Sequence, residues 1–335
     1  IFVDICIKRN NRYDQSRTLG ISKSNIDYFN NEIFNIRPIL WKIKKIKIYS
    51  EKYYKKELLK FENENKEIFS IIKNNQLQKL LLEKLKKSKF IKFKYEINNL
   101  EINKDKYKLI INSDPTNLYI KKFFSKKIEK KYNSLAYTTI IRHEKIKNDT
   151  AFQNFTKNGP LAFLPISNTE TSIVYSLKTL NKKDAFEMNN LIKNYNPIYS
   201  IKKINSWSTF ELKVSSLRNY YKDNILAFGD LLHKIHPLAG QGFNMSLRDI
   251  KLLSDLIDEK IYLGLDLDSS ICKKFEKNSK DKNLIFSTGI DWIYELFNFE
   301  NKINSNLLNK SIKLIGKNKT INTFLKTFAD IGIRY

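Results

Sequence analysis

Residues 225–244 constrain the fold more than any other stretch of this chain. An apolar run, Ile225-Leu226-Ala227-Phe228, ends abruptly in Gly229-Asp230, and Gly240 and Gly242 then stand directly ahead of a long amphipathic segment. That segment, residues 243–262, places Leu247, Ile250, Leu253, Leu256 and Ile257 on one helical face. A short strand, a glycine-bearing loop and a helix in that order belong to an α/β protein. Glycine lets the backbone approach a ligand closely, and the Asp230 carboxylate can accept hydrogen bonds from sugar-like hydroxyls. Two glycines at a helix start leave backbone N–H groups exposed, where the helix dipole favours negative charge.

The rest of the chain supplies material for one large domain or two smaller ones. With 335 residues, 41% of them hydrophobic and 13% aromatic, it can bury a substantial core. Residues 1–7 read as a short buried strand. Residues 17–29 have helical spacing at Leu19, Ile26 and Phe29, and residues 39–49 alternate as a half-exposed strand. Residues 67–85 read as an amphipathic helix through Ile68, Ile72, Leu77, Leu81 and Leu85. Strands are expected at 90–96, 107–112 and 134–142, and a hairpin from 161–165 and 171–177. From residue 268 onward the pattern is helical, with Trp292, Leu296, Phe297, Phe299, Leu307 and Leu308 read as core in preference to a membrane-facing surface.

The formal net charge of +26 raises the question of nucleic acid. Of the 61 basic residues, however, 53 are Lys and 8 are Arg, spread along the chain beside abundant Ile and Asn. This is a solvated Lys-rich surface, so no nucleic acid is expected, while contact with an anionic membrane surface stays open. Apolar runs are interrupted well short of the roughly 18 to 20 residues that a bilayer span needs, and no signal segment opens the chain. A cytoplasmic protein, with peripheral contact at the inner membrane as an option, is the expectation. Cys6 and Cys272 are far apart and read as reduced structural thiols. His143, His233 and His236 do not form a metal-binding set by spacing, so no metal is expected.

Two glycines before a helix are equally compatible with an ordinary tight loop, but the full string is more specific. Gly229, Asp230, His233, Pro237, Gly240, Gln241, Gly242 and Asn244 reproduce without interruption the Gly-Asp-x-x-His-x-x-x-Pro-x-x-Gly-Gln-Gly-x-Asn pattern. It resembles the motif of class A flavoprotein monooxygenases, which share the para-hydroxybenzoate hydroxylase fold. Further segments narrow the resemblance to the aromatic-ring hydroxylases of ubiquinone biosynthesis. Ala151-Phe152-Gln153-Asn154-Phe155 and Gly159-Pro160-Leu161-Ala162-Phe163-Leu164-Pro165 look like their Ala-x-x-x-Phe and Gly-Pro-x-Ala-x-Leu-Pro stretches, with His143 ahead of them. Arg17-Thr18-Leu19-Gly20-Ile21-Ser22 is similar to their Arg-x-x-Ala-Leu-Ser segment, and Leu247-Arg248-Asp249 fits as well.

This resemblance implies an α/β fold: a Rossmann-like FAD-binding domain, truncated at its N-terminus, an inserted mixed β-sheet substrate domain, and C-terminal helices. The implied division gives residues 1–36, 66–125 and 223–264 to the FAD-binding domain, 37–65 and 126–222 to the substrate domain, and 265–335 to the helical region. It also implies the reaction. NAD(P)H reduces the FAD, O2 forms a C4a-hydroperoxide, and one oxygen passes to the ring of a polyprenylated phenol. No protein nucleophile is needed, and no side chain is expected to be catalytic in its own right. The cofactor-binding residues expected are Arg17, Gly229, Asp230, Pro237, Gly240, Gln241, Gly242, Phe243 and Asn244, with Asp230 at the ribityl chain and 237–244 around the isoalloxazine. His233 is left between the cofactor and a packing role beneath the loop.

Three departures from the family pattern stand beside these expectations. The Gly-x-Gly-x-x-Gly turn that holds the FAD pyrophosphate, roughly thirty residues of the pattern, has no counterpart, since residues 1–7 match the second strand; a fragment is expected. The family's Ala-Asp-Gly-x-x-Ser-x-x-Arg segment appears as residues 113–121, keeping Asp114 but with Pro115 in place of glycine. An Asn-Arg pair appears as Asn74-Asn75. A non-catalytic member serving as a subunit of a quinone-biosynthesis complex is the alternative reading.

Overall fold

The computed structural model describes residues 2–7, 16–50, 57–62, 67–95, 106–115, 122–156, 158–178, 184–236, 240–302 and 319–332. Within them a nine-stranded mixed sheet organises the chain. Its strands lie in the order His233–Lys234, Ser208–Leu217, Lys127–His143, Glu170–Lys178, Gly159–Pro165, Thr150–Thr156, Lys45–Ser50 and Glu57–Glu62, and Ile201–Ile204 also pairs with Lys127–His143. Thr150–Thr156 runs parallel to Lys45–Ser50, and the other pairings in this sheet are antiparallel.

Strand alternation gives the sheet two distinct faces. Phe152, Phe163 and Ile173 stand opposite one another on neighbouring strands. They pack with Met188, Ile192 and Tyr199 in one buried cluster, which the helix Asp184–Tyr195 closes. A buried polar knot seals its edge: Tyr199 Oη donates to Asn148 Oδ1 at 3.0 Å, Asn148 Nδ2 donates to Thr171 Oγ1 at 3.0 Å, and His143 Nε2 lies 3.0 Å from the same hydroxyl. His143 is thus structural. The residues between the core positions, Gln153, Ala162, Val174 and Thr138, form the other face.

Three smaller sheets complete the fold. Thr18–Ser22, Phe69–Lys73 and Trp41–Ile43 form an antiparallel sheet around Phe69–Lys73. Ile225–Ala227 lies parallel to Ile110–Asn112 and antiparallel to Tyr221–Lys222. Val3–Ile7 pairs in parallel with Ile91–Tyr95. The helix Gln241–Tyr262 packs against two of these units. Leu247 joins Ile21, Ile26, Ile72 and Leu77 on one side, and Leu253 and Leu256 join Leu226, Ile271 and Phe275 on the other.

The hairpin, the strand Ile225–Ala227 and the helix Gln241–Tyr262 stand where the sequence pattern puts them. Four expectations are corrected. Residues 17–29 are not one helix: Thr18–Ser22 is a strand and the helix is Lys23–Tyr28. Both pieces bury their apolar side chains in one cluster, so Leu19, Ile26 and Phe29 mimic helical spacing across a change of element. Residues 67–85 divide likewise into the strand Phe69–Lys73, where Ile71 and Ile72 are buried, and the helix Asn74–Lys86. The first strand is not buried, since Val3 keeps 42% of its surface exposed at a two-stranded edge. Trp292 is no core residue either, being 74% exposed on the helix Ser270–Lys302. Leu307, Leu308 and the side chains of Leu296, Phe297 and Phe299 lie outside the described residues.

Phe163 is fully buried, and its ring stacks on Tyr199 with centroids 6.0 Å apart. Phe163→Ala should therefore cost about 3–5 kcal/mol, read as a lowered midpoint in urea unfolding with an unchanged slope.

Candidate functional site

The glycine loop begins where Ile225–Ala227, buried throughout, leaves its sheet. Phe228 N–H donates to the Asn112 carbonyl at 2.9 Å, extending the parallel pairing by one residue. Gly229 then takes φ 58°, a left-handed conformation that costs an L-residue about 1–2 kcal/mol. The 3-10 turn Gly229–Leu231 turns Asp230 outward to solvent while Leu231 and Leu232 bury behind it. His233–Lys234 next adds to the edge of the large sheet, opposite Ser215 and Ser216. One short loop thereby joins a small parallel pair to the large sheet and leaves a carboxylate at the junction.

The helix Gln241–Tyr262 starts at Gly240, whose φ of 64° is again left-handed, and no side chain hydrogen-bonds to cap it. Among the described residues its first backbone N–H groups have no side-chain acceptor, as an anion-accepting helix end requires. A Cβ on Gly240 would sit 3.2 Å from the Gly20 nitrogen, so a side chain there would press the two backbones a few tenths of an ångström apart. Asn244 holds that approach. Its Oδ1 accepts from Ser22 N–H at 2.8 Å and Asn25 Nδ2 at 2.9 Å, and its Nδ2 donates to the Gly20 carbonyl at 3.0 Å. The carboxamide, in a residue only 1% exposed, is spent on the protein itself.

The two histidines of the loop have different fates. His233 Nε2 lies 2.5 Å from Asp249 Oδ2, and Asn283 Nδ2 donates to Asp249 Oδ1 at 3.0 Å. This buried chain ties the loop to the helix Gln241–Tyr262 and to the helix Ser270–Lys302. His236 stacks on Tyr294 with centroids 4.0 Å apart and meets Tyr132 edge-on at 5.3 Å. It is buried, and neither ring nitrogen has a hydrogen-bond partner among the described residues. Burial, with Lys130 adding repulsion, pushes its pKa down to about 3, so the ring is neutral at ordinary pH.

These elements enclose a cavity of about 820 Å³, large for a small-molecule site. Of the expected residues, Arg17, Asp230, Gly240, Gly242 and Phe243 line it. Gly229, Gln241 and Asn244 stand behind the lining, where they shape the turn and the helix start. Pro237 lies outside the described residues, as do 116–121 of the altered family segment. Asn74 lines the cavity, whereas Asn75 has its Oδ1 buried without a partner among the described residues. The opposite wall was missed in the sequence. It is the coreless face of the large sheet, with Gln153, Ala162, Val174 and Thr138, and His236 lies at the cavity too. Residues 150–156 and 159–165 do not alternate in hydrophobicity, and only the register shows which positions share a face.

An uncapped helix N-terminus, a close glycine approach, and an outward carboxylate at one edge of a large cavity fit the flavin end of FAD. Gln241 Oε1, beside that helix start, is buried and has no hydrogen-bond partner among the described residues. The chain resembles solved enzyme structures over most of its length. It matches p-nitrophenol 4-monooxygenase PnpA from Pseudomonas putida with TM-score 0.78 at 11% identity, covering 100% of this chain and 93% of that one. Klebsiella pneumoniae HpxO, solved with FAD and uric acid, matches with TM-score 0.73 at 9% identity over 94% and 88% of the two chains.

The chain has the fold of the FAD-dependent monooxygenases.

A family described as FAD binding domain matches residues 126–261. Curated relatives carry the names that the motifs imply. The mitochondrial ubiquinone biosynthesis monooxygenase COQ6 of Dictyostelium discoideum is 28% identical over 243 residues, 57% of this chain and 49% of that protein. The 3-demethoxyubiquinol 3-hydroxylase of Escherichia coli is 25% identical over 198 residues, 57% of this chain and 51% of that protein. The chain spans about half the length of these relatives. The resemblance to the ubiquinone-biosynthesis hydroxylases that residues 229–244 carry is borne out, as is the α/β fold class.

Two expectations follow from the site. Gly240→Ala should lose about 1–2 kcal/mol from the left-handed φ alone, with more from the contact to Gly20, measured by thermal or urea unfolding. His236 titrates lower in the folded than in the unfolded chain, so the unfolded state takes up the proton first as pH falls. Stability present above about 6.5 should decline toward pH 3 at up to about 1.4 kcal/mol per pH unit from this group. His236→Phe should flatten that decline, and parallel slopes for the two proteins between pH 6.5 and 4 would refute it.

Proposed function

We propose that this protein is an FAD-dependent monooxygenase that hydroxylates the aromatic ring of a polyprenylated phenol in ubiquinone biosynthesis, with NAD(P)H as reductant. The observation that carries this reading is the cavity between the Gly240 helix start and the bare face of the large sheet. A two-walled cavity of that volume can hold a flavin ring against one wall and a flat substrate against the other.

Each residue then has a physical task. Asp230 accepts hydrogen bonds from the ribityl hydroxyls, and Arg17 offers a cation at the cavity mouth. The backbone N–H groups at the start of the helix Gln241–Tyr262 stabilise negative charge on the reduced ring. Leu77, Leu81, Phe69, Leu164 and Phe243 supply apolar lining that excludes water from the reaction. When bound, FAD supplies the activation of O2, chemistry that no side chain provides.

The division into an FAD-binding part (1–36, 66–125, 223–264), a substrate part (37–65, 126–222) and a helical part (265–335) belongs to this reading. It is supported by the large sheet drawing almost all its strands from 45–62 and 127–217. Among the described residues no helix is long and apolar enough to cross a membrane. Peripheral contact with a membrane, and membership of a quinone-biosynthesis complex, extend the same proposal because the substrate is a lipid.

Asp230→Ala should weaken FAD binding about ten- to a hundredfold, the value of a charge-assisted hydrogen bond of about 1.5–3 kcal/mol, read by titrating flavin fluorescence. The reading itself is tested by supplying the full-length protein with FAD, NAD(P)H and a polyprenylated phenol and identifying the product by mass spectrometry. Product heavier by one oxygen is expected; a preparation without bound flavin, or with flavin and no oxygenated product, overturns it.

A further inference from the structure

The bare face of the large sheet is built unevenly. Across four strands the directly opposed residues run Gln153, Ala162, Val174, Thr138. Their neighbours along each strand, Phe152, Phe163 and Ile173, point the other way into the buried core, so this row must face the cavity that all four residues line. Its middle is occupied by two small apolar side chains, which offer a flat, non-hydrogen-bonding floor. Thr138 Oγ1 is already paired with Ser16 Oγ at 3.1 Å. Gln153 is half-buried, and its amide makes no hydrogen bond among the described residues, so it brings an unspent donor and an unspent acceptor to the end of the floor.

Resting on the function proposed above, we infer that Gln153 is the residue that recognises the phenolic hydroxyl of the substrate, while the ring lies over Ala162 and Val174. The chemistry matches group for group. A phenol O–H donates to the amide oxygen, and the phenol oxygen accepts from the amide N–H. An aryl methyl ether keeps the acceptor and loses the donor. The amide therefore selects a free phenol over its methylated counterpart, and it fixes which ring carbons face the flavin wall formed by Gly240, Gly242 and Phe243. A site with a buried group that needs a partner discriminates more sharply than an apolar floor alone.

The test uses the full-length, FAD-loaded protein with 2-farnesylphenol and its methyl ether as paired probes. The quantities measured are KM and kcat for each probe, the fraction of NAD(P)H oxidation that ends in hydroxylated product, and FAD affinity by fluorescence. Gln153→Met, close in size but without the amide, should raise KM for the phenol, which loses both hydrogen bonds, about tenfold to a hundredfold. It should raise KM for the methyl ether, which loses only the accepted N–H, by about threefold to tenfold, and divert more reducing equivalents from product, with FAD affinity unchanged. Ala162→Phe, which fills the floor, should raise KM for both probes together and again spare FAD. Wild-type activity with an unaltered phenol KM in Gln153→Met, or equal rises for both probes, overturns the role of Gln153 while the enzyme reading stands. Wild-type protein that binds FAD but hydroxylates neither probe overturns both.

Discussion

The Asn244 carboxamide is the contact on which the rest of the site depends. It takes N–H donors from Ser22 and Asn25 and gives its own N–H to Gly20, so one side chain fixes a strand, the start of a short helix and the start of a long one. These groups are buried, and losing one partner would leave several amides unsatisfied. Glycine at 240 is what lets the two backbones close to that distance. The helix end is thereby held against the strand that follows Arg17, and the uncapped N–H groups keep a fixed direction without spending a side chain on them.

A second buried link keeps the loop itself in place. His233, Asp249 and Asn283 join the edge of the large sheet to two helices, beside the apolar contacts and the Lys130 pairs to Asp291 and Glu295. Apolar contact is non-directional and tolerates sliding, whereas this chain of hydrogen bonds admits one arrangement. The loop between Gly229 and Lys234 is therefore determined at both ends, by the pairing of Phe228 with Asn112 and by the His233 contact, and Asp230 at its exposed turn has little freedom. Preorganisation of this kind lets a binding site act without reordering itself at each encounter.

Much of this wall was legible in the residues, because glycine and the residues around it have strong local requirements. The positive φ at Gly229 and Gly240 and the helix that follows are dictated within a dozen residues of sequence. The role of Asn244 was not legible, since its partners lie more than two hundred positions away and nothing local separates an amide aimed at a ligand from one aimed at a distant strand. The floor of the cavity was hidden for the same reason. The residues of Gly159–Pro165 are almost all buried, so hydrophobicity does not betray that alternate side chains serve a core and a cavity. The errors at 17–29 and 67–85 also share a cause: strand and helix there feed one apolar cluster, and periodicity averages across the boundary.

The two-faced strand pattern has an evolutionary consequence. Positions 153, 162 and 174 can change volume or polarity one at a time without disturbing Phe152, Phe163 or Ile173 on the reverse side. Such a sheet can drift from one aromatic ligand to another through single substitutions, each nearly neutral for folding. A one-residue insertion within the same strands is different in kind, because it would turn every aromatic toward the cavity and every cavity residue into the core. Relatives of this fold should therefore diverge in what they hold through exchange of side chains at fixed register, and hardly ever through changes in strand length.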